Sequence, residues 1–141
     1  MNIGVFDSGI GGKAVAAALQ DTFPSATITT VNDQAHVPYG DKSPDEIRTL
    51  TDAAIQPILD NDVIVIACNS ATTMAIDWLR ERYPTRKFIG IEPMVKPAAT
   101  HTTSGIIAVC ATPATLASPR YHHLKQTYAA NITVLEPDCS L

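Results

Sequence analysis

The chain has 141 residues, of which 45% are apolar and 17% charged, with a formal net charge of −4 at pH 7. This composition is typical of a globular protein that is long enough to bury a core, and it excludes an intrinsically disordered chain. The acidic balance and the lack of a lysine- and arginine-rich run argue against nucleic acid as a partner, and no apolar run approaches the roughly 20 residues of a membrane span.

The first third of the chain alternates between strand and helix patterns. The apolar run at 2–6 predicts a short buried strand, and the glycine-rich stretch at 9–12 predicts a tight turn. A helical period begins at Lys13, and we expect it to end at Phe23 before a proline. The apolar face of this helix is predicted at Ala14, Val15, Ala18 and Leu19. A second strand, rich in Thr and Ile, is predicted at 26–31.

A loop at 32–42 leads to a strong helix start. Ser43 can cap this helix, Pro44 suits its first position, and Glu46 completes a capping box. Apolar residues then fall on one face, at Ile47, Leu50, Ala54 and Ile58. Pro57 cannot donate a helical hydrogen bond, so we expect the helix to kink or end early there.

The strand–helix alternation continues after the apolar run at 63–67, which predicts a third strand ending at Cys68. The next helix should bury Ala71, Met74, Ala75, Trp78 and Leu79. A fourth strand is predicted at 87–91, and the prolines and polar tract between Glu92 and Ser104 predict a linker. Further elements are expected as a strand at 105–110, mainly helix at 113–128 and a strand at 131–135.

Strands separated by helices indicate βαβ units and hence an α/β fold with a parallel sheet. Ligands of such sheets bind beyond the carboxyl ends of the strands. Polar side chains follow these predicted ends, at Asp7, Ser8, Asp33, Cys68, Asn69, Ser70, Glu92 and Thr112. We therefore expect a thiol, carboxylates, hydroxyls and an amide to meet at one edge of the molecule.

Cys68 is the most reactive candidate at this edge. It stands between a buried strand and a helix start, and the positive end of a helix favours the thiolate, which is a nucleophile and a base. The alternative is a buried structural cysteine. Asp7 and Asn69 each have two possible roles, since they can cap a helix or bind a ligand. The glycine-rich turn can bind an anion, but it contains neither of the nucleotide-binding motifs GxGxxG and GxxxxGK(S/T).

The remaining cysteines and histidines argue against disulfides and metals. Cys68, Cys110 and Cys139 are odd in number and widely spaced, and the N-terminus lacks the features of a secretory signal, so we expect a cytoplasmic protein. The His122–His123 pair should face solvent on a helix rather than bind a metal ion.

Five sequence blocks, in chain order, resemble the glutamate racemase family: VFDSGIGG, VPYGDKSPDEI, VIACNSAT, IGIEPMVKPA and ATPATLASPRY. The match extends along essentially the whole chain. It implies a doubly wound, flavodoxin-like α/β domain at 1–95 that lacks its C-terminal return segment. It also implies that residues 96–141 begin a second, similar domain.

The resemblance also implies an activity. Family members interconvert L- and D-glutamate for peptidoglycan with two cysteines on opposite faces of the substrate Cα, without pyridoxal phosphate or metal. Cys68 resembles the cysteine that takes the proton from D-glutamate, and Asp7 resembles a residue that assists proton transfer. The residues that resemble substrate contacts are Ser8, Tyr39, Gly40, Asn69, Ser70 and Thr112. The family dimerises, which implies a possible homodimer for a full-length protein.

Two departures from the family pattern bear on activity. Ser70 stands where the family has threonine, which keeps the hydroxyl and loses a methyl group. The family's second cysteine lies in a GCTHYP-like block, which is absent here, and neither Cys110 nor Cys139 has the flanking Thr-His. We therefore expect these residues alone to be inactive. A racemase for aspartate or another amino acid, and a non-enzymatic flavodoxin-like ligand-binding fragment, stay open as alternatives.

Overall fold

The structure, a computed structural model, describes residues 1–139. Its strands are β1 Asn2–Asp7, β2 Thr27–Asn32, β3 Val63–Ile66, β4 Phe88–Gly90, β5 Ile106–Ala108 and β6 Thr133–Leu135. Its helices are α1 Gly12–Thr22, α2 Pro44–Ile55, α3 Asn69–Arg82, α4 Val95–His101, α5 Pro113–Leu116 and α6 Pro119–Tyr128. Short 3₁₀ turns lie at Gln34–His36, Tyr39–Asp41 and Gln56–Ile58.

The first four strands form one parallel sheet in the order β2-β1-β3-β4. In its register, Ile3 of β1 lies opposite Ile28 on one side and Val63 on the other. The same order occurs in doubly wound flavodoxin-like sheets, in which the first and third strands are neighbours. The predicted α/β class with a parallel sheet is confirmed.

Helices cover both faces of this sheet, which explains why its central strands are apolar on both sides. Phe6, Ile64 and Ile66 belong to a core cluster that includes buried residues of α2 and α3. Val5 and Val65 point to the opposite face and pack in a second cluster with α1. The sheet is therefore held between two cores.

The prediction for the buried face of α1 is wrong at two positions. Ala14 and Ala18 are exposed, whereas Ala16 is buried. The helix begins at Gly12, where an added Cβ would lie 2.8 Å from the Cβ of Asp7, so the chain can approach β1 closely only at a glycine. This contact turns Gly12 and Ala16 toward the sheet, because residues four apart share one helix face.

The capping box predicted for α2 is confirmed. The Ser43 hydroxyl accepts a hydrogen bond from the Glu46 backbone N–H at 3.4 Å, and the Glu46 carboxylate accepts one from the Ser43 backbone N–H at 2.9 Å. The helix ends at Ile55 and continues as a 3₁₀ turn that contains Pro57, as the missing proline N–H predicts. Ile58 in this turn is fully buried under the sheet.

A second parallel sheet contains only β5 and β6, with Ile106 opposite Thr133. Its core is a separate small cluster around Tyr121, with Val95, Ile107 and Ala129. The division into residues 1–95 and 96–141 stays a prediction, and Val95 at its boundary packs in this second cluster. The last two residues of that second range lie outside the described part of the chain.

Two expectations for this second region are wrong. The segment predicted as a linker contains α4, which tolerates Pro97 because a helix leaves the N–H groups of its first turn without intrahelical partners. Cys110 was expected inside a strand, but β5 ends at Ala108 and Cys110 is exposed beyond it. The hydrogen bonds between β5 and β6 stop near Pro137, because proline has no backbone N–H to donate.

The helix expected at 113–128 is divided into α5 and α6. Ser118 caps the second of these helices by accepting a hydrogen bond from the Tyr121 N–H at 3.1 Å. Within residues 1–139, no helix is long and apolar enough to cross a membrane.

The capping box should make a measurable contribution to stability. Ser43→Ala removes the acceptor for the Glu46 N–H, and we expect the free energy of unfolding to fall by about 1 kcal/mol. Urea unfolding followed by circular dichroism measures this change. Ser25→Ala is the matched control, because Ser25 is an exposed serine in a turn.

The effect of Ser43→Ala should also depend on pH. Hydrogen bonds from the Ser43 side chain and backbone lower the pKa of Glu46 below its usual value of 4.5. Stabilisation from this carboxylate is therefore present above pH 4.5 and is lost as pH falls through the lowered pKa of the folded state. The stability difference between wild type and variant should therefore narrow as pH falls below 4.5. An unchanged difference across that range would contradict this explanation.

Candidate active site

The thiol of Cys68 lies at the carboxyl ends of the two central strands. β1 and β3 are parallel neighbours, so the residues that follow them meet at one edge, and Ser8 Oγ lies 3.3 Å from Cys68 Sγ. Asp7 precedes Ser8 and accepts a hydrogen bond from the Gly9 N–H at 3.1 Å. Cys68 is 7% exposed and Asp7 9% exposed, so both groups are largely shielded from bulk water.

Cys68 is also the N-terminal cap of α3. Its sulfur accepts a hydrogen bond from the Ala71 N–H at 3.5 Å, at the start of a 14-residue helix. The Thr72 hydroxyl donates to the Ile66 carbonyl at 3.0 Å and fastens the first turn of α3 to β3. The unpaired N–H groups of a helix start favour negative charge, so this position suits a sulfur that carries charge during a reaction.

Tyr39 forms a buried wall beside this edge. Its ring is 2% exposed and packs against Phe6 with the ring centres 6.2 Å apart. Its hydroxyl donates a hydrogen bond to Asp33 at 2.7 Å, and His36 contacts the other oxygen of the same carboxylate at 2.7 Å. Burial and the neighbouring Asp33 carboxylate raise the pKa of Tyr39 well above its usual value, so this side chain is a neutral phenol.

Thr112, in the segment that follows β5, also borders the site. Thr112 caps α5, and its hydroxyl lies 2.9 Å from the hydroxyl of Ser70 on α3. The Tyr39–Asp41 turn packs directly against it, because a Cβ added to Gly40 would lie 2.5 Å from the Cβ of Thr112. A glycine at position 40 therefore permits close contact between the two halves of the structure.

These groups border an open cavity of about 350 Å³. All eight residues that the sequence singled out as catalytic or substrate-binding line it: Asp7, Ser8, Tyr39, Gly40, Cys68, Asn69, Ser70 and Thr112. Val37, Pro38 and Ala67 complete its wall. The structure thus brings the candidates together, and their individual roles stay predictions.

Two further residues predicted at this edge lie outside the cavity lining. Asp33 stands behind Tyr39 and holds its hydroxyl, a supporting role that the sequence did not predict. Glu92 pairs with Arg120, which also donates to both oxygens of Asp77 at 2.8 and 2.7 Å. Arg120 was missed in the sequence because it lies 28 residues from Glu92 and on another element, α6.

The cavity presents several polar groups in a wall that is otherwise mainly apolar. It combines a thiol, a carboxylate, hydroxyls, an amide and a helix start, and none of its lining residues is lysine or arginine. A substrate carboxylate would therefore bind through hydroxyls, the amide and backbone N–H groups. Among residues 1–139, no group of three or more His, Cys, Asp or Glu side chains could hold a metal ion, and His122 and His123 are exposed as predicted.

Comparison with known proteins confirms the resemblance that the sequence blocks carry. No protein-family model matches the chain. A curated glutamate racemase of Roseiflexus sp. (strain RS-1) is 41% identical over 139 residues, which cover 97% of this chain and 51% of the relative. The chain thus spans about half the length of the curated relatives it matches.

Solved structures show the same relation. A glutamate racemase of Escherichia coli, crystallised with L-glutamate and the activator UDP-MurNAc-ala, matches with a TM-score of 0.85 at 30% identity, over 96% of this chain and 52% of that one. The glutamate racemase of Aquifex pyrophilus also matches with a TM-score of 0.85, at 35% identity, over 100% of this chain and 56% of that one.

The contact at Gly40 gives a prediction about the cavity wall. Gly40→Ala places a Cβ against Thr112, so the turn and α5 must separate, and we expect the free energy of unfolding to fall by about 1–3 kcal/mol. Urea unfolding measures this loss. Gly9→Ala is the matched control, because its added Cβ would have no neighbour nearer than 3.8 Å. Equal losses for the two variants would contradict the assigned contact.

Proposed function

Since the chain corresponds over nearly its whole length to the N-terminal half of glutamate racemases, we propose that it forms the Cys68 side of an active site that interconverts L- and D-glutamate. The observation that carries this proposal is the position of the thiol. Cys68 Sγ lies at the start of α3, 3.3 Å from the Ser8 hydroxyl, and borders a cavity lined by every candidate residue.

In this proposal, Cys68 acts as the base toward D-glutamate. The thiolate takes the proton from the substrate Cα, so an S–H bond forms while the C–H bond breaks. The electron pair left on carbon is delocalised into the substrate carboxylate. Because the Cα proton is very weakly acidic, positioned hydrogen-bond donors must stabilise the charge that develops on this carboxylate. Ser8 can donate a hydrogen bond to the sulfur and stabilise its charged form before the transfer.

The other cavity residues then bind and orient the substrate. Asn69 and Ser70, with the free N–H groups of the first turn of α3, are placed to hold a carboxylate. Asp7 is the acidic residue lining the cavity, and it can pair with the substrate ammonium group or assist proton transfer. Tyr39, Gly40 and Thr112 line the same cavity and are expected to contact the substrate.

Inversion requires a second acid on the opposite face of Cα. Among residues 1–139, Cys68 is the sole thiol that lines this cavity, while Cys110 and Cys139 line a neighbouring one. We propose that the second thiol comes from chain beyond these residues, in a protein that needs no cofactor. In that protein, the reaction would supply D-glutamate for peptidoglycan in the cytoplasm, and the full-length form would be a homodimer.

The proposal predicts isotope exchange without inversion. The chain, incubated with D-glutamate in D₂O, should replace the α-hydrogen with deuterium while the amino acid stays in the D form. The reason is that Cys68 removes and returns the proton on one face. Proton NMR of the α-position measures exchange, and chiral chromatography measures inversion.

Variants identify the sulfur responsible. Cys68→Ala should abolish the exchange, and Cys110→Ala, which removes an exposed thiol outside the cavity, should leave it unchanged. Racemisation at equal rates from both enantiomers by wild type would overturn the one-thiol mechanism. Exchange that survives in Cys68→Ala would remove Cys68 from its proposed role.

A further inference from the structure

A pair of cysteine sulfur atoms lies outside the candidate active site. Cys110 and Cys139 both line an open cavity of about 540 Å³, together with Asp41, Ala111 and Pro113. This cavity shares Pro38, Gly40 and Thr112 with the wall of the Cys68 cavity. Both thiols are exposed, so small reagents in solution can reach them.

The parallel pairing of β5 and β6 brings these two cysteines together. Ala108 lies opposite Leu135, and the Val109 N–H donates to the Leu135 carbonyl at 2.9 Å. The segments that follow β5 and β6 therefore leave the sheet side by side. Continuing this register by two residues places Cys110 beside Pro137. The Cys139 thiol turns back and donates to the Pro137 carbonyl at 3.3 Å.

Cys110 also affects the protonation of the Cys139 thiol. Local desolvation, a hydrogen bond with the Cys110 thiol and the nearby Asp138 carboxylate raise the pKa of the Cys139 thiol. A raised pKa keeps this sulfur protonated near neutral pH, which slows its reaction with oxidants because the thiolate is the nucleophile. The reaction of this sulfur with oxidants should therefore become faster as pH rises.

We propose that Cys110 and Cys139 are an oxidisable thiol pair that closes into an intramolecular disulfide in the presence of a small-molecule disulfide. The bond joins the segments that follow β5 and β6 and closes a loop that includes α5 and α6. It forms at the cavity that borders Gly40 and Thr112, while Cys68, 7% exposed on the other side of that wall, stays reduced.

The reaction with glutathione disulfide balances in two steps. One protein thiolate attacks a sulfur of glutathione disulfide, forms a mixed disulfide and releases one glutathione thiolate. The second protein thiolate attacks the protein sulfur of that mixed disulfide and releases the other glutathione thiolate. The cysteine pair loses two electrons, the reagent gains them, and the two thiol protons pass to the released glutathiones.

Peptide mapping tests this proposal on the intact chain, because trypsin places the three cysteines in separate peptides. The peptides are 49–80, 88–120 and 126–141, since Lys96 precedes a proline and is not cleaved. After treatment of the reduced chain with glutathione disulfide and then with iodoacetamide, mass spectrometry should show 88–120 linked to 126–141, lighter by two hydrogens. Peptide 49–80 should carry the alkyl group.

Comparisons of the wild-type reaction with three variants and with the reaction in urea decide the outcome. Cys110→Ser and Cys139→Ser should each leave a glutathione adduct on the remaining exposed cysteine, and Cys68→Ser should link as wild type does. In denaturing urea the link should form at least about tenfold more slowly, because the fold holds the sulfurs together. Separate glutathione adducts on Cys110 and Cys139 in wild type, a link that includes Cys68, or an equal rate in urea would overturn the proposal.

Discussion

Parallel pairing of β1 with β3 is the constraint on which the candidate site depends. The two strands are neighbours although α1, β2 and α2 separate them in the chain, and their shared direction brings both carboxyl ends to one edge. As a result, Ser8 and Cys68, which are 60 residues apart in sequence, lie 3.3 Å apart. Cores on both faces of the sheet hold this pairing, so the position of the thiol is set by the most buried part of the fold.

The cavity wall also includes a residue from the segment that follows β5. Thr112 comes from the segment after β5, yet its hydroxyl meets Ser70 on α3, and its Cβ fits against Gly40 only because that residue has no side chain. Arg120 adds a second connection, since it donates to Asp77 on α3 and to Glu92 after β4. Contacts of the segment after β5 with α3 and with the Tyr39–Asp41 turn therefore shape this cavity together with β3, which precedes Cys68.

Local sequence signals predicted most of the first sheet and the cavity residues that follow strand ends, whereas Tyr39 and Gly40 were expected only from the family resemblance. Alternating strand and helix patterns, the Ser43 capping box and Pro57 each act through neighbouring residues, and the structure follows them. The features that sequence reasoning got wrong or did not predict depend on how turns fold back to bring nearby residues into contact. The buried face of α1 depends on Gly12 against Asp7, and the tyrosine–aspartate bond behind the cavity depends on how the loop after β2 folds back. Neither contact is visible from spacing along the chain.

A crystal structure of the chain with D-glutamate bound tests the central claim most directly. The account predicts that the amino acid occupies the cavity between Ser8 and Asn69, with its carboxylate at the start of α3. Its Cα hydrogen should point at Cys68 Sγ, with carbon and sulfur within about 3.5 Å, the separation of reacting atoms poised for transfer. D-glutamate bound at another surface, or in this cavity with its Cα hydrogen directed away from Cys68, would contradict the account.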